Sequence, residues 1–365
     1  MLKRITRNTI ATVALAATTA ITATTIAPTD AHADRIRQQV PIAFPSKLTA
    51  LGDTLPYVAE ALAAMSDKDI DFRVAEPGKI VKGTEIFDAV SSGKVKIGYS
   101  WMGYEQGKVP AAPLFGAVPF GLEPQEYIAW YYFHGGKELV EETFSPHNVH
   151  PVFCGVISPE AAGWFTFPLD DLSKMQGLKF RAAGLGGKIM SKMGASVTVL
   201  PGGELYQALE KGVLDATEFS LPTVDDQLGF YKVAQYYHLP GWHQPSTSQY
   251  LYVNKEFWDE TVTAQQKAMI ETACTAGVTM AIAKAEALQG AVIKDFQSKG
   301  VELVKISDEI LQQLHAAAME VFEEEATADE SGQFRKVLDS MMAFKAEHAV
   351  WKEYGYLPRD WKPAE

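Results

Sequence analysis

The sequence predicts an α/β fold in which two lobes enclose a cleft, and three observations support this. Strand-like and helix-like segments alternate over residues 38–100, the order of a parallel sheet flanked by helices. The segment from Glu85 to Trp101 aligns without a gap with the segment from Glu204 to Ser220, each with the pattern helix, glycine, strand. The 365 residues, 47% of them hydrophobic, are sufficient for two such units with separate cores.

The first residues have the pattern of an export signal. A basic start precedes the apolar, threonine-rich run from Thr9 to Ile26, and Ala31-His32-Ala33 is an A-x-A cleavage site. We therefore expect a signal peptide over residues 1–33, cleaved near Ala33, and a mature chain in a bacterial periplasm. An uncleaved membrane anchor is the alternative, but threonines and Pro28 interrupt the apolar run. A lipoprotein anchor is excluded because no cysteine lies near this boundary.

Charge and cysteine content limit the partners further. The net charge is −12, and removing the three cations and one anion of the signal leaves −14. That charge argues against nucleic acid and anionic membranes as partners, although a recessed arginine can still bind an anion locally.

Cys154 and Cys274 could pair in an oxidising compartment. Since both lie in apolar segments where a free thiol packs well, we expect two buried thiols.

The elements follow in chain order, with lobe I over residues 34–155. Its expected strands and helices are Gln38 to Phe44, a helix ending at Met65, Asp71 to Ala75, a helix capped by Thr84, Val95 to Ser100, a helical region over Pro124 to Phe144, and Val149 to Ile157. The stretch from Trp101 to Phe120 contains three prolines and is predicted as a loop between the lobes.

Lobe II is predicted over residues 156–252. It contains short strands ending at Arg181, Leu200 and Glu218, a flexible turn at Gly184 to Gly187, and a helix ending before Gly212. Gln249 to Val253 is expected to be a strand returning to lobe I. Residues 253–365 are predicted as a helical part that contributes to both lobes and the hinge; its segments are Ala264 to Ser298, the strand Glu302 to Lys305, Asp308 to Glu325 and Phe334 to Lys352.

Arg181 and Glu218 are the strongest site candidates because each ends a predicted strand of lobe II. Ligands of such sheets bind outside the carboxyl ends of the strands. The guanidinium of Arg181 suits a carboxylate, although a plain surface arginine is the alternative. A buried Glu218 needs a partner, which could be Arg181, a metal or a ligand hydroxyl.

Further oxygen donors near these positions favour a hard cation. They are Glu160, Gln244, Ser220 and the Phe219 carbonyl, a set suited to Na⁺ or Ca²⁺. Zinc is not expected, because His243 has no second histidine or cysteine at ligand spacing. No nucleotide-binding loop or nucleophile elbow is present, so an enzyme would have to use the paired acids Glu160 and Glu218.

At these residues the chain resembles the solute-binding proteins of tripartite ATP-independent periplasmic (TRAP) transporters. The resemblance runs through essentially the whole mature chain and rests on EPGKIVKGTEIFDAVSSGKVKIGYSW, PEAAGWF, Arg181 with GLGG, LPGGELYQALEKGVLDATEFS and LGFYKVAQYYHLPGWHQPS. It implies a periplasmic-binding-protein-like fold, two α/β lobes around a ligand cleft with a long connecting helix. It also implies that Arg181 binds the ligand carboxylate.

At Glu218-Phe219 and at His243-Gln244-Pro245 the chain is similar to the branch that binds 2-oxo and 2-hydroxy acids. The resemblance implies that Glu218, Phe219 and Gln244 hold a cation, Na⁺ or Ca²⁺, that bridges ligand and protein. Glu160 departs from the glutamine common in this branch. A second acid would either favour a divalent ion or replace the ion by direct hydrogen bonds.

We therefore expect a receptor, not an enzyme, that binds a small organic acid for uptake by the TRAP membrane subunits. It needs no organic cofactor and binds no nucleic acid. One alternative is an aryl-carboxylate receptor without metal, whose aromatic wall would be Trp101, Tyr104, Trp164, Phe219 and Trp242. Ordinary core and rim positions are the other interpretation of these five residues. Another is an exported hydrolase or lyase that uses Glu160 and Glu218. It also stays open whether the receptor presents its ligand to a sensory partner. A homodimer through the apolar segment from Phe334 to Trp351 is a further possibility, and burial of that segment within the monomer is its equal alternative.

Overall fold

A computed structural model describes residues 35–359 and residue 362. The predicted signal peptide and its cleavage site lie outside the described residues. The strands are β1 Ile36–Pro41, β2 Ile70–Ala75, β3 Ile97–Trp101, β4 Val149–Ile157, β5 Gly163–Phe165, β6 Lys179–Arg181, β7 Ser196–Thr198, β8 Ala216–Thr217, β9 Tyr236–Leu239, β10 Thr247–Asn254 and β11 Glu302–Lys305. The helices are α1 Thr54–Met65, α2 Ile86–Ser91, α3 Ala112–Gly116, α4 Pro124–Phe133, α5 Gly136–Phe144, α6 Gly184–Lys192, α7 Gly202–Glu210, α8 Pro222–Leu228, α9 Lys255–Glu260, α10 Ala264–Ser298, α11 Asp308–Ala328 and α12 Gln333–Gly355.

Lobe I is built on two small sheets. Strands β1 and β2 are parallel, and a parallel bridge joins Ile42, the residue after β1, to Tyr99 in the middle of β3. In the second sheet β10 lies between β3 and β4 and is antiparallel to both. The predicted return of Gln249 to Val253 to lobe I is therefore confirmed. The predicted lobe boundaries at residues 155 and 252 stay predictions.

Lobe II is built on a six-stranded sheet of order β11-β9-β5-β8-β6-β7. Strand β6 is parallel to both β7 and β8, so the three strands end at the same edge. Behind this edge a large buried cluster contains Trp164, Phe230 and Tyr237. The sheet therefore presents the residues that follow β6 and β8 side by side.

Two local predictions were wrong. The stretch from Trp101 to Phe120 is not plain loop, because it contains a 3₁₀ turn, Met102–Glu105, and α3, in which Pro113 fits the first turn. Gly184 to Gly187 is not a flexible turn but the start of α6. The glycines fit there because a Cβ on Gly184 would lie 3.1 Å from the Trp101 ring and one on Gly186 would lie 2.9 Å from His243.

The long connecting helix is α10, whose 35 residues correspond to about 52 Å. Its first half packs on β4 and α1 of lobe I. Near its end, Phe296 contacts Trp164 edge-on, with ring centroids 5.1 Å apart, in the core of lobe II. One helix thus belongs to both lobes, as the sequence predicted. Within the described part of the chain, no helix combines the length and apolarity needed to cross a bilayer.

Cys154 and Cys274 form a disulfide between β4 and α10, so the prediction of two free thiols was wrong. Their Cα atoms lie 4.1 Å apart. This approach is close because Gly277, one turn further along α10, has no side chain. A Cβ at that position would lie 2.7 Å from the Cys154 carbonyl oxygen. Both cysteines are in apolar patterns, which indicate burial but do not distinguish a packed thiol from a bonded one.

Glu105, at the end of the 3₁₀ turn, is a fully buried carboxylate in lobe I. Within the described residues, neither carboxylate oxygen accepts a hydrogen bond. The Lys108 ammonium lies 3.6 Å from Glu105 but 2.8 Å from Asp88, so its main partner is Asp88. Burial raises the pKa of Glu105 to about 8 despite the opposing effect of Lys108. The folded chain therefore favours the neutral acid.

We expect Glu105→Gln to stabilise the protein, and more so at alkaline pH. The folded pKa of about 8 lies above the ordinary 4.5, so stability of the native chain falls as pH rises from about 4.5 to about 8. Glutamine removes that loss, which is on the order of a few kcal/mol. Thermal melting should show a gain of several degrees at pH 8.5 and a smaller gain at pH 5. Asp88→Asn is the control, and an equal gain at both pH values would contradict the argument.

Candidate functional site

Arg181 and Glu218 lie together because of the parallel pairing of β6 with β8. Arg181 is opposite Thr217 in the register, and the Glu218 amide donates to the Arg181 carbonyl at 3.1 Å. The two side chains therefore leave adjacent strands at the same edge of the sheet. The sequence prediction placed both residues at strand ends, and the structure brings them into contact.

The two residues form a buried ion pair, each with 2% of its surface exposed. Nη1 of Arg181 lies 2.8 Å from Oε1 of Glu218 and also donates to the Glu218 carbonyl at 3.0 Å. Its Nε donates to the Leu200 carbonyl at 3.0 Å. The Ala183 amide donates to the same Glu218 oxygen at 2.9 Å. These bonds hold the guanidinium in one orientation.

The charge state of Glu218 follows from this surrounding. Burial alone would raise its pKa, because a carboxylate loses hydration in the interior. The Arg181 guanidinium, the nearby His243 and the Ala183 amide outweigh burial and hold the pKa of Glu218 below its ordinary value. Glu218 is therefore ionised at neutral pH, and its carboxylate oxygens can coordinate a cation.

Glu160 and Gln244 reach the site from the two segments that cross between the lobes, one after β4 and one before β10. The Glu160 amide donates to the Gln244 carbonyl at 3.2 Å, and the Gly241 amide donates to the Glu160 carbonyl at 3.0 Å. A Cβ on Gly241 would lie 2.2 Å from that carbonyl oxygen, so the contact requires glycine. The crossing segments are thus fixed to each other beside the ion pair.

The Glu160 carboxylate has little compensation. The Thr247 hydroxyl donates to its Oε1 at 2.8 Å. Burial, and then the negative charge of Glu218, raise the pKa of Glu160 well above its ordinary value. Arg181 makes its ion pair with Glu218, and among the described residues no cationic side chain lies within 4.0 Å of the Glu160 carboxylate.

The amide of Gln244 faces two acceptors. Its terminal atom lies 2.6 Å from the Thr247 oxygen and 3.2 and 3.3 Å from the Glu160 carboxylate oxygens. If the nitrogen occupies this position, it donates to both groups. If the oxygen occupies it, oxygens of three side chains converge, which requires a cation or a proton among them. The side chain can therefore serve the site with and without an ion.

Glu160, Glu218 and His243 offer atoms that all lie within 4.8 Å of one another. Oε2 of Glu218 is buried and accepts no hydrogen bond among the described residues, while Nε2 of His243 lies 3.5 Å away. A buried carboxylate oxygen without a donor is the environment that a bound cation completes. Two carboxylates and an amide oxygen fit a hard ion such as Na⁺ or Ca²⁺. Zinc is disfavoured, since one histidine is the only nitrogen donor of this cluster.

The groups surround a small cavity of about 20 Å³ between the lobes. It is lined by Phe44, Leu51, Trp101, Tyr104, Glu160, Arg181, Ala183, Glu218, Phe219, Gln244 and Thr247. The ring of Phe219 lies 5.3 Å from the Arg181 guanidinium carbon. Burial raises the pKa of Tyr104, although Arg181 acts in the opposite direction, so its hydroxyl stays a proton donor. The cavity combines one cation, two acids and an aromatic wall.

Two predicted ligand contacts do not line this cavity. Trp164 is fully buried in lobe II, stacks on Tyr237 at 4.2 Å and donates from Nε1 to Asp225 at 3.0 Å. Trp242 stacks on Phe120 at 5.6 Å. Their proposed roles as ligand contacts gain no support from this arrangement.

Sequence reasoning missed several residues of the site. Phe44, Leu51 and Ala183 line the cavity but are ordinary apolar residues in the sequence. Thr247 and His243 belong to a segment in which Trp242 and Gln244 were assigned roles but these two residues were not. Their signal was their position, one and three residues from Gln244, in a segment that crosses between lobes.

Comparison with known proteins identifies the family of this chain. Residues 43–329 match the family described as bacterial extracellular solute-binding protein, family 7. The chain is 33% identical over 356 residues, 96% of each chain, to the monocarboxylate 2-oxoacid-binding periplasmic protein of a Nostoc species.

Two solved structures have the same fold at similar length. A TRAP periplasmic solute-binding protein of Pseudoalteromonas atlantica with bound sodium and pyruvate is 28% identical, with TM-score 0.83, over 88% of this chain and 97% of that one. A TRAP solute-binding protein of Bordetella bronchiseptica is 25% identical, with TM-score 0.84, over 87% of this chain and 94% of that one. It is a mixed-occupancy dimer with copurified calcium and picolinate in one active site. The chain thus belongs to family 7 of the bacterial extracellular solute-binding proteins, the TRAP transporter receptors, as the sequence resemblance predicted.

Proposed function

We propose that this protein is the receptor of a TRAP transporter for a small 2-oxo monocarboxylate, bound together with Na⁺ or Ca²⁺. The observation that carries the proposal is the buried cluster of Arg181, Glu218 and Glu160 in the cavity between the lobes. Arg181 binds the ligand carboxylate, while Glu218, Gln244 and the Phe219 carbonyl hold the cation. The ion bridges the 2-oxo group and the carboxylates and neutralises their charge.

The chemistry of the cavity supports a short acid. Apolar contacts come from Phe44, Leu51 and Trp101, which suit a methyl or short alkyl group. The Nostoc protein, which is 33% identical to this chain and named for monocarboxylate 2-oxoacids, supports the same class.

The proposal includes binding without turnover. Glu218 is committed to Arg181 and the Ala183 amide, which leaves it poorly suited to accept a proton from a substrate. Incubating the protein with pyruvate and following the ligand by NMR tests this, because a hydrolase or lyase would form product.

The setting is the periplasm, with the signal peptide removed near Ala33 and the receptor passing its ligand to the TRAP membrane subunits. Family membership supports this, and the mass of the secreted protein checks the cleavage point.

A homodimer is also proposed. The end of α12 exposes Val350, Trp351 and Tyr354, while its earlier residues Phe334 and Val337 are buried in the monomer. Sedimentation measures the oligomeric state.

Removing metal ions should lower the affinity for pyruvate by at least about a hundredfold, on the order of 3 kcal/mol. Without an ion, two carboxylates and the ligand carboxylate face one arginine in a buried site. Calorimetry in sodium-free, chelator-treated buffer measures the loss, and adding back CaCl₂ or NaCl should restore binding.

Propionate, which lacks the 2-oxo group, is the matched control ligand and should bind weakly with or without ions. Unchanged pyruvate affinity after chelation in sodium-free buffer would contradict the ion's role. Failure of every 2-oxo acid to bind in any ion would contradict the proposed function itself.

A further inference from the structure

We infer that Gln227 is a positioning residue for ligand binding, which holds lobe I against lobe II and thereby slows the release of the ligand. The inference rests on the proposed function. Gln227 lies near the end of α8 in lobe II, and its side chain bonds the backbone of residues 45–53, the contact loop, between β1 and α1 of lobe I. The Thr49 amide donates to its Oε1 at 3.0 Å, and its Nε2 donates to the Lys47 carbonyl at 3.2 Å.

The contact loop is fixed to lobe I. Within the loop, the Gly52 amide donates to the Leu48 carbonyl at 2.8 Å and closes a turn. The Ser46 amide donates to the carboxylate of Glu76, the residue that follows β2, at 3.1 Å. The two bonds of Gln227 therefore connect α8 to a rigid part of the opposite lobe.

The same loop also packs into lobe II. Leu48 and Leu51 are at most 2% exposed and share one apolar cluster with Leu221 and Val224, at the start of α8. Parting of the lobes would expose this apolar surface to water, so the contact belongs to the closed arrangement. Gln227 lies at the exposed rim of the contact. Its two hydrogen bonds fix the loop in one place on α8, which an apolar contact alone does not do.

Both partners of these bonds lead directly to the cavity. Phe44, which precedes the contact loop, and Leu51, within it, line the cavity. On the other side, α8 begins four residues after Glu218, the partner of Arg181. Gln227 is not among the cavity-lining residues, so it acts on the ligand through the position of the loop.

A contact made only in the closed arrangement affects release more than capture. The ligand enters while the lobes are apart, and it leaves only after the closed contacts have broken. Bonds that favour the closed arrangement raise the apparent affinity by increasing the closed fraction. Loss of the Gln227 bonds should therefore appear mainly in the release rate.

Stopped-flow fluorescence with pyruvate, in buffer that contains both CaCl₂ and NaCl, tests the inference on Gln227→Ala. We expect release to be at least about fivefold faster, as two hydrogen bonds allow, and association to stay within about twofold of the wild type. Because Gln227 is exposed, the ligand-free variant should melt within about 2 °C of the wild type. Gln235→Ala is the matched control, since Gln235 is an exposed glutamine that bonds Glu302 within lobe II, and its release rate should be unchanged.

Hydrogen exchange with pyruvate bound gives a second readout. The Thr49 amide should exchange at least about tenfold faster in Gln227→Ala, whereas the Gly52 amide, which bonds within the contact loop, should keep its rate.

An unchanged release rate in Gln227→Ala, with or without a lower melting temperature, would overturn the inference and leave the receptor function intact. Equal exchange of the Thr49 amide in variant and wild type would also overturn it. Absence of pyruvate binding in the wild type is a different result, because it defeats the proposed function and the inference with it.

Discussion

Replacing Arg181 with alanine should abolish ligand binding, with at least a thousandfold loss of affinity for pyruvate, about 4 kcal/mol. Arg181 is the cation of the cavity, and its orientation is held by the carbonyls of Leu200 and Glu218. The same change leaves the Glu218 carboxylate buried without its partner, which destabilises the fold by about 3–5 kcal/mol. Calorimetry measures the first effect, and thermal melting the second.

Lost binding must be separated from lost folding. Adding Glu218→Gln to Arg181→Ala removes the unpaired charge and should recover part of the stability, but not binding. Arg335→Ala is the matched control, because Arg335 pairs with the exposed Glu323 on the surface. Pyruvate affinity of Arg181→Ala within threefold of the wild type would remove Arg181 from the site.

Local patterns predicted the elements whose signals are long or sharply bounded. The bounds of β4 and α10 agree with the prediction: β4 is an apolar run, and the structure shows a capping box of Thr263 and Gln266 where α10 begins. Gly184 to Gly187 was misjudged because glycine fits both a turn and a tightly packed helix start. The deciding contacts, with the rings of Trp101 and His243, come from distant parts of the chain.

The site was predictable to the extent that topology determines it. Arg181 and Glu218 end parallel strands, and such strands end at one edge, so their proximity follows from the sheet. The contact of Glu160 with Gln244 depends on two crossing segments that no local pattern aligns. Trp164 was assigned to the cavity because a buried core tryptophan and a ligand-contacting one have the same sequence signature.

Removing the disulfide should give the second large effect, a loss of about 4–5 kcal/mol in the free energy of unfolding. Cys154 and Cys274 are 120 residues apart, so the bond excludes many extended conformations of the unfolded chain. Urea unfolding of the Cys154→Ala, Cys274→Ala double variant should show a lower midpoint than the oxidised wild type. Adding a reductant should move the wild type towards the variant.

The variant itself provides the control, because reductant should not change its midpoint. Both sulfur positions are fully buried in lobe I, in a cluster separate from the cavity residues, so pyruvate affinity should stay within about threefold. The small cavity left by two missing sulfurs adds to the loss in stability but does not respond to reductant. A double variant within about 1 kcal/mol of the wild type would show that the unfolded chain retains enough structure to make the cross-link redundant. If reductant leaves the midpoint of the wild type unchanged, the lower midpoint of the double variant comes from packing, because the bond then contributes nothing.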